Sequence, residues 1–304
     1  SKNIIVIGCD NGDIYILGGS NASYDGSQER IGAIATFNGR MYAGQGYSAD
    51  DGDIFMCTPG TAGNASDCDN ASDWTTSLDI SAKSSGQYDG VYDLFEFSGK
   101  LYASYGNGWN DADIWVCDPA TAGNASHCDD ATDWTKYIDT GSNYAVAWRF
   151  VSFNSELYVG LEGQTDGGGD LMILDGSNTA YDAGATVERM QSLETFNTKL
   201  YATAGTTAGD GDIFICSPAT AGDANKCDSA LDWATSYNAS QETFESLYTL
   251  GGTLYAGQGN GWGDGDLYSC DPAGGGVATD CDNAADWSVA WNQGGFALYD
   301  MTTY

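Results

Sequence analysis

Residues Leu254–Trp287 read LYAGQGNGWGDGDLYSCDPAGGGVATDCDNAADW, and this stretch decides the fold because most of the chain consists of imperfect copies of it. Its opening word recurs as MYAGQG at Met41, LYASYG at Leu101, LYVGLE at Leu157 and LYATAG at Leu200, with starts 60, 56, 43 and 54 residues apart. Periods of that length signify an array of similar supersecondary units, and four short strands per unit make each one a propeller blade. The order inside a unit is constant. A first strand ends in an apolar residue before a turn (Phe37, Phe97, Phe153, Phe196, Leu250), and the apolar-Tyr strand follows after Asn, Ser, Gly or Thr residues of hairpin type. A third strand opens at Asp53, Asp113, Asp170, Asp212 and Asp266, and a fourth carries Asp-Trp at Trp74, Trp134, Trp233 and Trp287, degenerating in the third unit near Tyr181.

The two chain ends complement one another. IIVIGCDNGDIYILGG within residues 1–19 supplies second and third strands without a first, and FALYDMTTY at 296–304 matches a first strand without a second. Pairing them closes the array and removes exposed sheet edges. The expected fold is therefore all-β: a single six-bladed β-propeller of four-stranded blades over 1–304, with blades at about 31–80, 91–140, 145–182, 187–238 and 243–291 and a split blade from 295–304 plus 1–24.

The glycine-ended second strand, the third strand with Asp and aromatic residues, and the later Trp resemble the kelch motif of β-propellers across nearly the whole chain. Kelch blades usually carry a double glycine after the second strand; here the positions read Ala43-Gly44, Gly160-Leu161 or Ala256-Gly257. The resemblance implies a ring that serves enzymes, lectins and scaffolds alike, so function has to be read from sites.

Composition narrows the partners. Ten Lys and Arg face 43 Asp and Glu, for a formal charge of −33, which excludes a nucleic-acid backbone and an anionic membrane surface as partners. The acids are 35 Asp and 8 Glu; Asp favours turns and hard-cation sites. No stretch of 18 apolar residues spans a membrane. Nine cysteines point to an oxidising compartment, and the opening SKNIIVIG lacks the form of an export signal, so the expectation is a secreted or cell-surface protein whose signal is not part of these residues.

Four units hold a cysteine pair: Cys57 with Cys68, Cys117 with Cys128, Cys216 with Cys227, and Cys270 with Cys281. Each pair is separated by 11 positions, and the second cysteine always lies six before the Trp. With one histidine in the chain and no CxxC, these spacings predict intrablade disulfides, not a metal site. Each would contribute on the order of 3 kcal/mol. Cys9 is left over as a free thiol, buried in its strand or available for an intermolecular bond.

The loop between the second and third strands is the most suggestive. Asp51 and Asp53, Asp111 and Asp113, Asp210 and Asp212, and Asp264 and Asp266 form Asp-x-Asp pairs. In an extended segment both carboxylates face one side and can converge on calcium; the alternative is that the first shapes the turn and the second accepts backbone N–H bonds. Trp109 and Trp262 sit at equivalent places beside Asn107, Asp111, Asn260 and Asp264, with Tyr47 nearby in the first unit. Such residues hold sugar rings by stacking and hydrogen bonding, or else pack over a neighbouring blade. N-glycosylation sequons stand at Asn21, Asn64, Asn70, Asn124 and Asn238.

Catalysis through a histidine-activated nucleophile is disfavoured, since the one histidine, His127, adjoins Cys128. The kelch-type copper oxidases need two histidine ligands, so the resemblance does not carry that activity over. The four arginines, Arg30, Arg40, Arg149 and Arg189, do not repeat as a carboxylate-binding set. The expected function is a non-catalytic extracellular binding or structural module, with a glycan, a cell-surface protein or self-assembly as partner. The alternative is a polysaccharide-acting glycosidase or lyase using paired carboxylates. The third unit departs most from the pattern and is the place for an asymmetric interface or, under the enzyme reading, an active site.

Overall fold

In the computed structural model the described residues are 5–8, 14–17, 30–46, 52–59, 68, 71–83, 90–106, 112–119, 126–164, 168–174, 180–182, 187, 189–205, 211–218, 223–238, 243–259, 265–272 and 279–292, with 5–8, 14–17 and 180–182 described by backbone alone. They form strands, a few 3-10 turns and one helical turn at Ile80–Lys83. Strands β1 (Ile5–Gly8) and β2 (Ile14–Leu17) make an antiparallel pair. Five four-stranded antiparallel blades follow in chain order. The first is β3 (Ile31–Phe37), β4 (Arg40–Gln45), β5 (Ile54–Cys57) and β6 (Trp74–Leu78). The second is β7 (Gly90–Phe97), β8 (Lys100–Gly106), β9 (Ile114–Cys117) and β10 (Trp134–Ile138). The third is β11 (Tyr144–Phe153), β12 (Glu156–Gly163), β13 (Asp170–Ile173) and β14 (Ala180–Asp182). The fourth is β15 (Met190–Phe196), β16 (Lys199–Ala204), β17 (Asp212–Cys216) and β18 (Trp233–Asn238); the fifth is β19 (Thr243–Leu250), β20 (Thr253–Gly259), β21 (Leu267–Cys270) and β22 (Trp287–Trp291).

This is the meander the repeats predict, including the degenerate fourth strand at Tyr181. The expected closing strand, 295–304, lies outside the described residues. The chain divides into two compact units, Ser1–Ala147 with Tyr304 and Trp148–Thr303, and the boundary falls within β11.

Each blade starts with the same hairpin. The two turn residues are left-handed at both positions: Asn38 and Gly39, Ser98 and Gly99, Asn154 and Ser155, Asn197 and Thr198, Gly251 and Gly252. Paired positive φ is the signature of a type I′ turn, whose twist matches that of the strands it joins, and it explains why these positions hold Asn, Gly and Ser. Four of the hairpins stack a Phe at the end of the first strand on the Tyr of the second, with centroids 6.1–6.5 Å apart in Phe37–Tyr42, Phe97–Tyr102, Phe153–Tyr158 and Phe196–Tyr201.

Within each unit, successive blades meet over an apolar core. Tyr42, Leu78, Val91 and Trp134 lie in one cluster of the first unit; Tyr158, Met190, Leu200 and Trp233 in one of the second. Glycine permits the close approach of third blade to fourth. A Cβ on Gly160 would sit 2.1 Å from the Met190 carbonyl oxygen and 3.0 Å from its carbon, a collision with backbone that no rotamer relieves.

The four disulfides form as expected, each with Cα atoms 6.0 Å apart, and they mark an oxidising environment. The preceding blade holds each of three of these loops. In the second blade, Cys128 donates its N–H to the Tyr42 hydroxyl at 3.0 Å, the Asn38 amide donates to Ser126 O at 3.0 Å, and the Ser77 hydroxyl donates to Cys128 O while accepting the Trp134 indole N–H at 2.9 Å. The fourth blade repeats this with Tyr158 and Asn154 of the third, the fifth with Tyr201, Asn197 and Ser236 of the fourth. The turn asparagine thus serves twice, tolerating the left-handed backbone and clamping the next blade. The second blade, which precedes the blade without cysteines, has Ser98 at that place.

The aspartate of each Asp-Trp is buried, and in the second, fourth and fifth blades it caps the turn before its strand. Asp133 accepts from the Asp129 and Asp130 N–H groups, Asp232 from Ser229, and Asp286 from Asp282 and Asn283. The Trp that follows then points inward.

Candidate functional site

Of the loop residues singled out from sequence, Tyr47, Asp51, Asn107, Trp109, Asp111, Asp210, Asn260, Trp262 and Asp264 lie outside the described residues, as do Cys9 and the sequons at Asn21, Asn64, Asn70 and Asn124. Asn238 is exposed at the end of β18. The second aspartates of the Asp-x-Asp pairs are described, and three of them tie the start of the third strand to the chain beyond the fourth. Asp53 accepts the Ile80 N–H at 3.0 Å. Asp113, fully buried, accepts the Thr140 N–H at 3.3 Å and pairs with Lys136 at 2.6 Å. Asp266 accepts from the Asn292 amide at 3.1 Å, while Asp212 lies opposite Asn238 in the ladder. Among the described residues no group of three or more His, Cys, Asp and Glu is placed to hold a metal ion.

A polar network forms elsewhere, in the second unit, from side chains of each of its three blades. Trp148 of β11 donates its indole N–H to Glu162 Oε2 at 3.0 Å. The backbone of Glu162, at the end of β12, bridges Arg189, and the Arg189 guanidinium lies over the Trp148 ring with its carbon 5.2 Å from the centroid. The same arginine pairs with Glu245 of β19 at 3.0 and 3.2 Å and donates Nε–H to Gly205 O at 3.3 Å. Glu245 is 3% exposed and also accepts from the Thr243 hydroxyl at 2.9 Å, so the buried carboxylate is compensated by a cation and a hydroxyl. Burial holds the Glu162 carboxyl above the ordinary glutamate range; Arg189 and the Trp148 N–H oppose that shift, and Glu245 adds to it.

Four of the five first strands share a device at one register position, which in this network holds Glu245. Counted back from the hairpin, the sixth residue is Gly32, Tyr92, Trp148, Gln191 and Glu245 in the five blades. In four of them the ladder slips there: Ile31 pairs with Gln45 but Ala33 with Gly44, and the same shift follows Val91, Met190 and Phe244. A β-bulge re-aims one side chain while the sheet around it is preserved. Here the repeated scaffold presents a different residue at that one register position in every blade. Gln191 is buried at 9% exposure, and its Oε1 has no hydrogen-bond partner among the described residues.

Sequence reasoning passed over this network although one signal was visible. Glu162 stands where the other four copies of the second-strand word have Gly46, Gly106, Gly205 and Gly259. The third blade, which supplies Trp148 and Glu162, is the one that departs from the repeat.

No family model matches the chain, and no curated protein matches it. Among solved structures the fold is similar to that of YCF48 bound to D1 peptide, with a TM-score of 0.54 and 10% identity over 95% of this chain and 79% of that one. YCF48 is a β-propeller. The fold of this chain is a β-propeller. At that identity the likeness concerns architecture alone.

Proposed function

We propose that this propeller is an extracellular, disulfide-braced, non-catalytic binding module whose partner is a protein segment. The observation that carries the reading is the register position that a bulge marks in four of the five first strands: Gly32, Tyr92, Trp148, Gln191 and Glu245 share it while their chemistry changes completely. A purely structural repeat has no need of such variation, and a binding surface does. Two further observations support it. The four disulfides fit an export route, and YCF48, of similar fold, is bound to a peptide. An array of random immobilised 12-residue peptides probed with labelled protein tests the reading. A reproducible subset should bind, and Trp148→Ala should abolish most of that binding. Binding to a glycan array with no peptide signal would replace the protein partner by a carbohydrate, the other partner expected from Trp109 and Trp262.

A second reading has one observation in its favour, a carboxyl raised above its ordinary range by burial, Glu162, beside a second carboxyl, Glu245. Those are the groups an acid-assisted glycoside hydrolysis employs. Reducing ends released from a polysaccharide panel by the native chain and not by Glu162→Gln would establish that activity, and a flat panel would dismiss it.

A further inference from the structure

We infer that Glu162 and Gln191 form the recognition point for a basic side chain, the ammonium of a lysine or the guanidinium of an arginine, on the bound protein segment. The inference deepens the peptide-binding reading and rests on it. Arg189 spends guanidinium N–H groups on Glu245 and Gly205, and Trp148 spends its single N–H on Glu162. On the acceptor side, Glu162 takes that bond on Oε2, which leaves Oε1, and the buried Gln191 Oε1 has no partner among the described residues. A buried acceptor left without a donor keeps its desolvation cost uncompensated, so a ligand that brings donors gains affinity here.

The placement agrees with this pairing of donors and acceptors. Gln191 occupies the bulge of the fourth blade, between the blade that carries Trp148 and Glu162 and the blade that carries Glu245. Two carboxyl groups and one guanidinium leave the network one negative charge when all are ionised. The groups that face Glu162 are Arg189, from the strand start beside β15, Glu245 from β19 and the Trp148 N–H from β11. A cation arriving at Glu162 favours its ionised form and offsets the burial that disfavours it. The chain's formal charge of −33 draws a basic segment toward any such point and repels an acidic one.

The experiment uses the full chain labelled with 13C at the glutamate side-chain carboxyl, the Glu162 resonance being assigned by its loss in Glu162→Gln. Four acetylated and amidated probes, Gly-Gly-Ala-X-Ala-Gly-Gly with X as lysine, arginine, norleucine or glutamate, are titrated in turn. The lysine or arginine probe should shift the Glu162 resonance saturably and lower its titration midpoint, and the other two should not. Glu162→Gln should weaken that probe about tenfold, measured by the amide shifts of neighbouring residues. Gln191→Leu should weaken it severalfold while leaving the Glu162 midpoint without probe unchanged. Absence of a saturable shift with either basic probe, or an equal response to norleucine, overturns the inference. The peptide array separates this failure from that of the parent reading. Array peptides that bind without enrichment in lysine or arginine, and bind Glu162→Gln equally, keep the binding module and remove the cation site. A basic-probe response with an empty array does the reverse.

Discussion

Thr198 sits at φ 65° in the fourth hairpin, where a β-branched side chain is the least suited of all. Its neighbours in the other blades, Gly39 and Gly99, adopt the same conformation with open space around them. Thr198→Gly should therefore raise stability by about 0.5–1 kcal/mol, the relief of the left-handed strain less the added freedom of the unfolded chain, read as a higher urea midpoint. Tyrosine ionisation provides a second test at this scale. Burial pushes Tyr42 and Tyr158 up to about 12, against the ordinary value near 10, with the Cys128 and Cys227 N–H bonds acting in the opposite direction. The stability these phenols contribute is complete below pH 10 and is lost as pH rises through about 12, because the folded state withholds ionisation that the unfolded chain permits. Absorbance at 295 nm should show tyrosines that ionise only together with unfolding. For Glu162 the folded carboxyl likewise prefers its neutral form, so its contribution is complete at low pH and falls as pH rises through the folded titration. Glu162→Gln should match the parent in acid and exceed it at neutral pH, measured by denaturant midpoints from pH 4 to 8.

At the scale of strands and loops, the sequence displayed what is local and concealed what joins one blade to the next. The hairpins, the Asp-led third strands, the cysteine spacing and even the weak fourth strand at Tyr181 follow from residue type and period alone. Ser77 and Ser236 gave no such signal, since a serine in a polar strand looks like surface until the indole N–H of the next blade is seen to end on it. The Glu162 network was hidden for the same reason, as its members are dispersed from 148 to 245 and meet only across sheets. The substitution of Glu162 for a repeated glycine was its one visible trace. Two substitutions measure how much the junctions matter. Gly160→Ala should cost about 3 kcal/mol, because the new methyl meets a carbonyl oxygen and not a movable side chain. Tyr201→Phe removes the acceptor for the buried Cys281 N–H and should cost about 1–3 kcal/mol, seen as a lowered urea midpoint with the disulfide intact.

For the molecule as a whole, charge governs how stability responds to the solvent. A chain with 43 acids and 10 bases repels itself, and salt screens that repulsion over a Debye length near 10 Å at 0.1 M. The melting temperature should therefore climb with sodium chloride and level off. The calcium expectation for the Asp-x-Asp loops makes a separate demand: calcium must raise the melting temperature beyond sodium at equal ionic strength, and magnesium must fall short of it. A rise that depends on ionic strength alone assigns the acids to solubility and turn formation.

Asn38, Tyr42 and Ser77, which hold the cysteine loop of the following blade, all lie earlier in the chain than that loop. A ribosome delivers the chain in that same order. When Cys117 and Cys128 leave the exit tunnel, the residues that will seat their loop have already been made, and the same holds for Cys216 with Cys227 and Cys270 with Cys281. Each finished blade is thus a jig for oxidising the next, so pulse-labelled chains trapped with a thiol-blocking reagent should acquire their disulfides in order of synthesis, with few cross-blade pairings.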